Sequence, residues 1–161
     1  MRTGVIHALV LLALSVSADS PAELGRDWVQ ATAAAPWAPR AYHTSVVYNG
    51  ETWVIGGQLY FRAGGDVWYS SNGTKWTMVT DRAQFTNGEG YTAVVHNRKM
   101  WLIGGSGNAH GAVWSSSDGA NWTSTPIPVL WAARHNHSSV VFDNKMWILG
   151  GRSWTTYFND V

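Results

Sequence analysis

Trp37-Ala38-Pro39-Arg40-Ala41-Tyr42-His43-Thr44-Ser45-Val46-Val47-Tyr48-Asn49-Gly50-Glu51-Thr52-Trp53-Val54-Ile55-Gly56-Gly57 opens a pattern that continues as Asp66-Val67-Trp68-Tyr69-Ser70-Ser71-Asn72-Gly73-Thr74-Lys75-Trp76. The pattern is written again further along. Gly56-Gly57 recurs 48 residues on as Gly104-Gly105 and another 46 on as Gly150-Gly151. Trp53 recurs as Trp101 and Trp147, and Trp76 as Trp122. Markers held in one order at one spacing make the repeat the organising feature of the chain. Between them lie short alternating and β-branched runs bounded by turn residues, which read as strands.

A repeat of 46 to 48 residues built from such runs has the period of propeller blades, whereas stacked helix pairs would carry a 3.6-residue periodicity. In the first copy Tyr42 to Tyr48 reads as a strand, Asn49-Gly50 as a tight hairpin turn and Thr52 to Ile55 as the return strand. A Gly-rich loop, Gln58 to Gly65, leads to a third strand at Val67 to Ser70. Asn72-Gly73 reads as another two-residue turn and Lys75 to Val79 as the fourth strand. The second copy has Tyr91 to His96, Met100 to Ile103, Ala112 to Ser116 and Asn121 to Ser124, with a final turn at Asp118-Gly119. The third has His137 to Phe142 and Met146 to Leu149, and Asn159-Asp160-Val161 falls in register with Asp66-Val67. Trp28 precedes Trp76 by one repeat and marks the last strand of a further copy.

The predicted fold is therefore all-β: antiparallel four-stranded blades of a β-propeller, incomplete, with two whole blades and two partial ones. The expected divisions are 1–18 signal peptide, 19–36 joint plus closing strand, 37–80 blade 1, 81–125 blade 2 and 126–161 partial blade 3.

Composition narrows the function. Charged residues make up 13% of the 161 and the formal net charge is +1, so the chain has no basic footprint for nucleic acid and no polybasic membrane patch. Cysteine is absent, which removes disulfides, thiolate metal sites and a cysteine nucleophile. Most of the 11 tryptophans fall at recurring positions and read first as packing. Met1-Arg2, the apolar run Val5 to Val16 and the small residues of Val16-Ser17-Ala18 have the form of a secretory signal peptide, and the run is shorter than the roughly 18 residues of a membrane span. Asn72, Asn121 and Asn136 begin Asn-x-Ser/Thr sequons, glycosylation sites in a eukaryotic host and chance occurrences otherwise.

The order Arg-x-x-His, Val-Val, apolar strand, Gly-Gly, Asp-Val-Trp, turn, Trp resembles the kelch repeat of the galactose oxidase-like kelch domain family, over Trp28 to Val161. The resemblance implies a fold and no activity. It implies that Trp28 sits on a closing strand that completes a last blade, that further blades lie beyond Val161, and that this chain is the N-terminal piece of a longer protein. It also implies that the first strand of each blade lines a central channel, with the loop before it at one mouth. The copper site of galactose oxidase needs a Tyr cross-linked to a Cys, so without cysteine that site is not supported.

Candidate ligand-binding residues follow from that placement. Trp37-x-x-Arg40-x-x-His43 recurs as Trp131-x-x-Arg134-x-x-His137; Arg and His there could receive an anionic or sugar ligand, or tie neighbouring blades together. The middle copy departs from the pattern with Phe85, Gly88 and Tyr91, and Glu89 beside them. Glu89 and Tyr91 join the candidates because packing constrains them less. The structural positions are Trp28, Trp53, Gly56, Gly57, Trp76, Trp101, Gly104, Gly105, Trp122, Trp147, Gly150 and Gly151. Ser117-Asp118-Gly119-x-x-Trp122 and Ser71-Asn72-Gly73-x-x-Trp76 resemble a shortened Asp-box, a structural turn. His43, His96, His110, His135 and His137 have no carboxylate cluster with them, so no metal is assigned. His135 and His137, two apart, would share one face of a strand. No catalytic constellation and no cofactor is expected.

These features point to a secreted module, extracellular or periplasmic in a bacterium, that binds protein or carbohydrate at the channel mouth or acts as a scaffold. The alternative is the N-terminal piece of a kelch-type carbohydrate-active or oxidative enzyme whose catalytic residues lie elsewhere. Neither nucleic acid nor a membrane span after signal removal is expected. Unpaired blade faces favour self-association of this segment by itself. Mass spectrometry of the exported product is expected to place its N-terminus near Asp19; intact Met1 on the cell-associated protein would overturn export.

Overall fold

Three tight turns set the register of the chain. Asn49-Gly50, Asn97-Arg98 and Asp143-Asn144 all have positive φ at both central positions, the type I′ geometry whose twist matches that of paired strands. In the computed structural model, which describes residues 28–60, 62–85, 88–106, 112–125 and 131–161, each turn joins the first two strands of a sheet. The signal peptide expected at 1–18 lies outside the described residues. Trp28 to Gln30 have no regular secondary structure, and Trp28 is 89% exposed. They fall in a separate unit from Ala31–Val161.

Blade 1 is the antiparallel sheet β1 (Thr44–Tyr48), β2 (Glu51–Leu59), β3 (Arg62–Ser70), β4 (Thr77–Thr80), in that order. Blade 2 repeats it with β5 (Tyr91–His96), β6 (Lys99–Gly104), β7 (Val113–Ser116) and β8 (Thr123–Thr125). Blade 3 contains the pair β9 (Ser138–Phe142) and β10 (Lys145–Leu149). β5 lies beside β1, and β9 beside β5, so the first strands are innermost and the sheets fan outward from them. That is the propeller arrangement. Among the described residues no helix is long and apolar enough to cross a membrane.

Two local expectations are corrected. The segment Gln58 to Gly65 is not a loop: β2 and β3 pair through it as a hairpin, with Gly57 opposite Gly64 and Leu59 opposite Arg62, after a register slip between Ile55 and Gly57. Asn72-Gly73 and Asp118-Gly119 do not form two-residue turns either, because Tyr69 pairs with Thr77 and Ser115 with Thr123. The longer loops are held by side chains instead. The Asn72 Oδ1 accepts from the Thr74 and Lys75 amides, and the Ser70 hydroxyl from the Asn72 and Gly73 amides. Asp118 and Ser116 repeat this in blade 2. Polar side chains that mimic backbone partners let a loop of this length hold one shape. The Asn121 amide bonds Asp118, and those hydrogen bonds hold the Asp118 carboxyl down at about 2.

Packing between blades explains the tryptophans. Each strand-two indole donates to the carbonyl of the residue before its hairpin turn: Trp53 to Tyr48, Trp101 to His96 and Trp147 to Phe142. The loop indoles do the same one level out, Trp76 to Gly73 and Trp122 to Gly119. Trp53, Ile55 and Tyr48 of blade 1 share one buried cluster with Met100, Leu102 and Trp122 of blade 2. The Tyr48 hydroxyl crosses over to donate to the Arg98 carbonyl at 2.8 Å. A second cluster joins Val94, Ile103 and Val113 of blade 2 to Met146 and Ile148 of blade 3.

The two loop tryptophans are not equivalent. Trp122 is 4% exposed, with Phe85 edge-on at 5.1 Å, and a Cβ at Gly119 would run into the Trp53 ring. Trp76 has Trp37 edge-on at 4.5 Å but is only half-buried, and nothing lies within 4 Å of a Cβ at Gly73. The expectation that both are core residues therefore holds in full for Trp122 alone, because its loop presses on a neighbouring blade. Trp122→Ala is expected to cost about 3–5 kcal/mol in denaturant unfolding, and Trp76→Ala less than half of that. Equal losses would show that inter-blade contact is not what buries the ring.

Candidate functional site

The segment leading into each blade is pinned to its own sheet. The Arg40 guanidinium donates to the Gly56 carbonyl at 2.9 Å and to both oxygens of Asp66, at 3.0 and 2.6 Å. Arg134 repeats this with Gly150 and Asp160 in blade 3. Both arginine side chains are 3% exposed, and each lies over the ring of its own lead-in tryptophan, Trp37 or Trp131. Burial pushes the Asp66 carboxyl up, but the hydrogen bonds from Arg40 and Trp68 outweigh it and hold the group below its ordinary value. The guanidinium groups thus staple blades internally, while the Arg134 carbonyl accepts from the Gly105 amide of blade 2 at 3.0 Å.

The histidine of the triplet makes the link between blades. His137 Nε2 meets the Thr92 hydroxyl of blade 2 at 2.8 Å, and its Nδ1 is buried without a partner. Burial pushes the imidazole down to about 4, and Arg134 and His135 push the same way. Tyr91 holds the matching place in blade 2. Its ring fills the space where a Cβ on Gly88 or Gly105 would sit, its hydroxyl donates to the Phe85 carbonyl at 3.0 Å, and burial raises it to about 12.

Above this packing lies a frame made only of backbone. Ala41 and Gln58 exchange two hydrogen bonds, as do His135 and Arg152, and the Ser106 amide donates to the Glu89 carbonyl. Tyr42, Gly90 and Asn136, at matching places in the three copies, all have φ between 54° and 70°. Their amides and carbonyls join the blades: Gly90 N donates to Tyr42 O at 3.1 Å and Asn136 N to Gly90 O at 3.0 Å. The side chains carried by this frame differ from copy to copy, and they surround a pocket of about 250 Å³. Gln58, Ser106 and Arg152 come from one set of matching positions, and Glu89 and His135 from another. Tyr42, Asn136 and Trp154 complete the wall. Arg152 Nε donates to His135 Nε2 at 3.2 Å, and the Trp154 ring lies 5.6 Å from the imidazole. Burial lowers the His135 pKa, Arg152 adds to this and Glu89 opposes it. In the bond from Arg152, His135 Nε2 is the acceptor.

Of the ligand-binding candidates read from the sequence, only Glu89 lines this pocket. The side chains of Arg40, Arg134, Tyr91 and His137 are engaged in the packing beneath the frame, and His43 is exposed. Asn136, considered only as a sequon, and His135, considered only for metal, belong to the wall. His135 and His137 do not act as one strand face, because Asn136 between them has φ 54°. Among the described residues no three His, Asp or Glu side chains come together to hold a metal ion; His110 lies outside them. A larger concavity of about 480 Å³ lies along β10, lined also by Trp131, Arg134 and Asp160; in the other two blades the second strand pairs a third.

A family model described as the DUF6242 beta propeller domain matches residues 70–157. That is more than half of the chain, and the chain belongs to this family. No curated protein matches it.

The buried imidazole makes stability depend on pH. Because the folded-state pKa of His137 is lowered from 6.5 to about 4, its contribution is fully present above 6.5 and is lost as pH falls toward 4, by up to about 3 kcal/mol. His137→Gln is expected to flatten the stability profile across that window when unfolding free energies are compared at a series of pH values. Parallel profiles for the two proteins would show that His137 is not the group responsible.

Proposed function

We propose that this member of the DUF6242 beta propeller family is an exported, kelch-type binding module whose ligand seats at the mouth of the channel lined by β1, β5 and β9. One observation carries the reading. The three copies share the same backbone frame at the mouth, yet each hangs different side chains on it, with Gln58, Ser106 and Arg152 at one level and Glu89 and His135 at another. Residues that brace a blade repeat, as Arg40 and Arg134 do in blades 1 and 3. Residues released from that duty diverge, and here they converge on one concave, polar place.

The galactose oxidase-like assignment rests on the Arg-x-x-His, Gly-Gly and Asp-Val-Trp order, and export on residues 1–18. The test separates recognition from scaffolding. Glu89→Ala combined with Arg152→Ala is expected to leave the protein folded, at a cost of about 1–3 kcal/mol for the His135 acceptor left unpartnered, while abolishing retention on an immobilised panel of glycans and proteins. Unchanged retention by the folded double variant would move the site away from the mouth.

A further inference from the structure

The mouth pocket has features that narrow its ligand, on the premise that the mouth is the binding site. Its volume, about 250 Å³, falls below the roughly 300–1,000 Å³ of pockets that enclose drug-sized ligands, so it has room for one small ring. The charged side chains lining it are one carboxylate, Glu89, and one guanidinium, Arg152, and the Arg152 Nε bond to His135 Nε2 keeps the imidazole uncharged. An anion entering would meet Glu89 and a cation would meet Arg152.

What remains is a dense set of donors and acceptors with open valences. The Gln58 and Asn136 amides each offer both kinds, Glu89 accepts, and Arg152 retains the NH groups not used on His135. A hydroxyl both donates and accepts, and two neighbouring hydroxyls on a ring match the paired atoms of a carboxylate, an amide or a guanidinium. Trp154, 73% exposed, adds an indole whose face carries partial negative charge and attracts C–H hydrogens polarised by adjacent oxygens. We propose that the pocket between Glu89, Arg152 and Trp154 binds a single neutral pyranose, free or at the terminus of a glycan.

A ligand of this size, held in a shallow site by hydrogen bonds in competition with water, binds with a dissociation constant on the order of 1 mM. The probes are methyl glycosides of glucose, galactose, mannose and N-acetylglucosamine. The readout is the Trp154 indole N–H resonance of the full chain, assigned by its loss in Trp154→Phe. At least one glycoside is expected to shift it saturably. Ring contacts measured by saturation transfer are expected to weaken at least tenfold in Trp154→Ala and Glu89→Gln and to persist in Trp154→Phe. Both positions are away from the core, so the variants fold.

An oligosaccharide ending in the same sugar distinguishes the sources: equal affinity places the pyranose at a glycan terminus, and exclusion restricts the site to the free sugar. Either upholds the pyranose. Hexuronates or free amino acids that shift the resonance while neutral glycosides do not would overturn the ligand class and leave the mouth as the site. No shift with any probe would overturn the pyranose, and the mouth itself then stands or falls on the retention of proteins and glycans by the double variant.

Discussion

The second glycine of the Gly-Gly pairs in blades 1 and 3 allows two backbones to approach more closely than side chains permit, and that of blade 2 makes room for the Tyr91 ring. A Cβ on Gly57 would stand 2.7 Å from the Ala41 carbonyl oxygen and 2.8 Å from the His43 Cβ, and one on Gly151 would stand 2.7 Å from the His137 Cβ. These distances are below van der Waals contact, and φ at all three second glycines is near 100°, where side chains are strained. Without that approach Ala41 could not pair with Gln58, nor His135 with Arg152. The lead-in segment would then swing away from its sheet and the mouth would lose its frame.

The arginine staple obeys a rule that the middle copy makes visible. Blades 1 and 3 carry Arg with Asp. Blade 2 carries Gly88 and Ala112 in their places, so both charges are missing together, as expected where a lone buried charge costs far more than the intact pair or none. The exchange leaves a trace. Trp68 donates its indole N–H to Asp66 at 2.6 Å, whereas the indole nitrogen of Trp114 is buried without a partner. The ring is kept for its packing and the hydrogen bond went with the carboxylate, at a penalty of about 1–3 kcal/mol. Tyr91 offsets part of the loss by filling the vacated volume.

What could be read from the sequence was what repeats. The period, the order of strands, the Asn49-Gly50 turn and the indoles of Trp53, Trp101 and Trp147 are local or periodic signals, and the structure returns them as blades. The β2–β3 hairpin escaped because Gly64 and Gly65 look like a loop until the register slip at Gly56 supplies a bend. The loops after Ser70 and Ser116 escaped because their shape is set by side-chain hydrogen bonds and not by a dipeptide. The mouth escaped for the opposite reason to the blades. Its wall is built where copies differ, so repetition highlighted Arg40, Arg134 and His137, which brace the blades beneath it, and the exposed His43, and passed over Gln58, Arg152 and Trp154. Only the break in the pattern around Glu89 pointed the right way.

The run of amides from Tyr42 through Gly90 to Asn136 also bears on how such a chain can grow. At this level the seam between neighbours is peptide to peptide, and it keeps Gly90 bare, since a Cβ there would stand 2.5 Å from the Asn136 Oδ1 of the next copy. One junction has His137 on Thr92 beneath it and the other has Tyr91 turned toward its own lead-in, yet the amide contacts are 3.0 and 3.1 Å. A segment of this length can therefore repeat its seam through the backbone, and its rim can vary wherever the preceding copy leaves room, as Gly90 does for Asn136. Modularity of this kind separates the inheritance of architecture from the inheritance of chemistry.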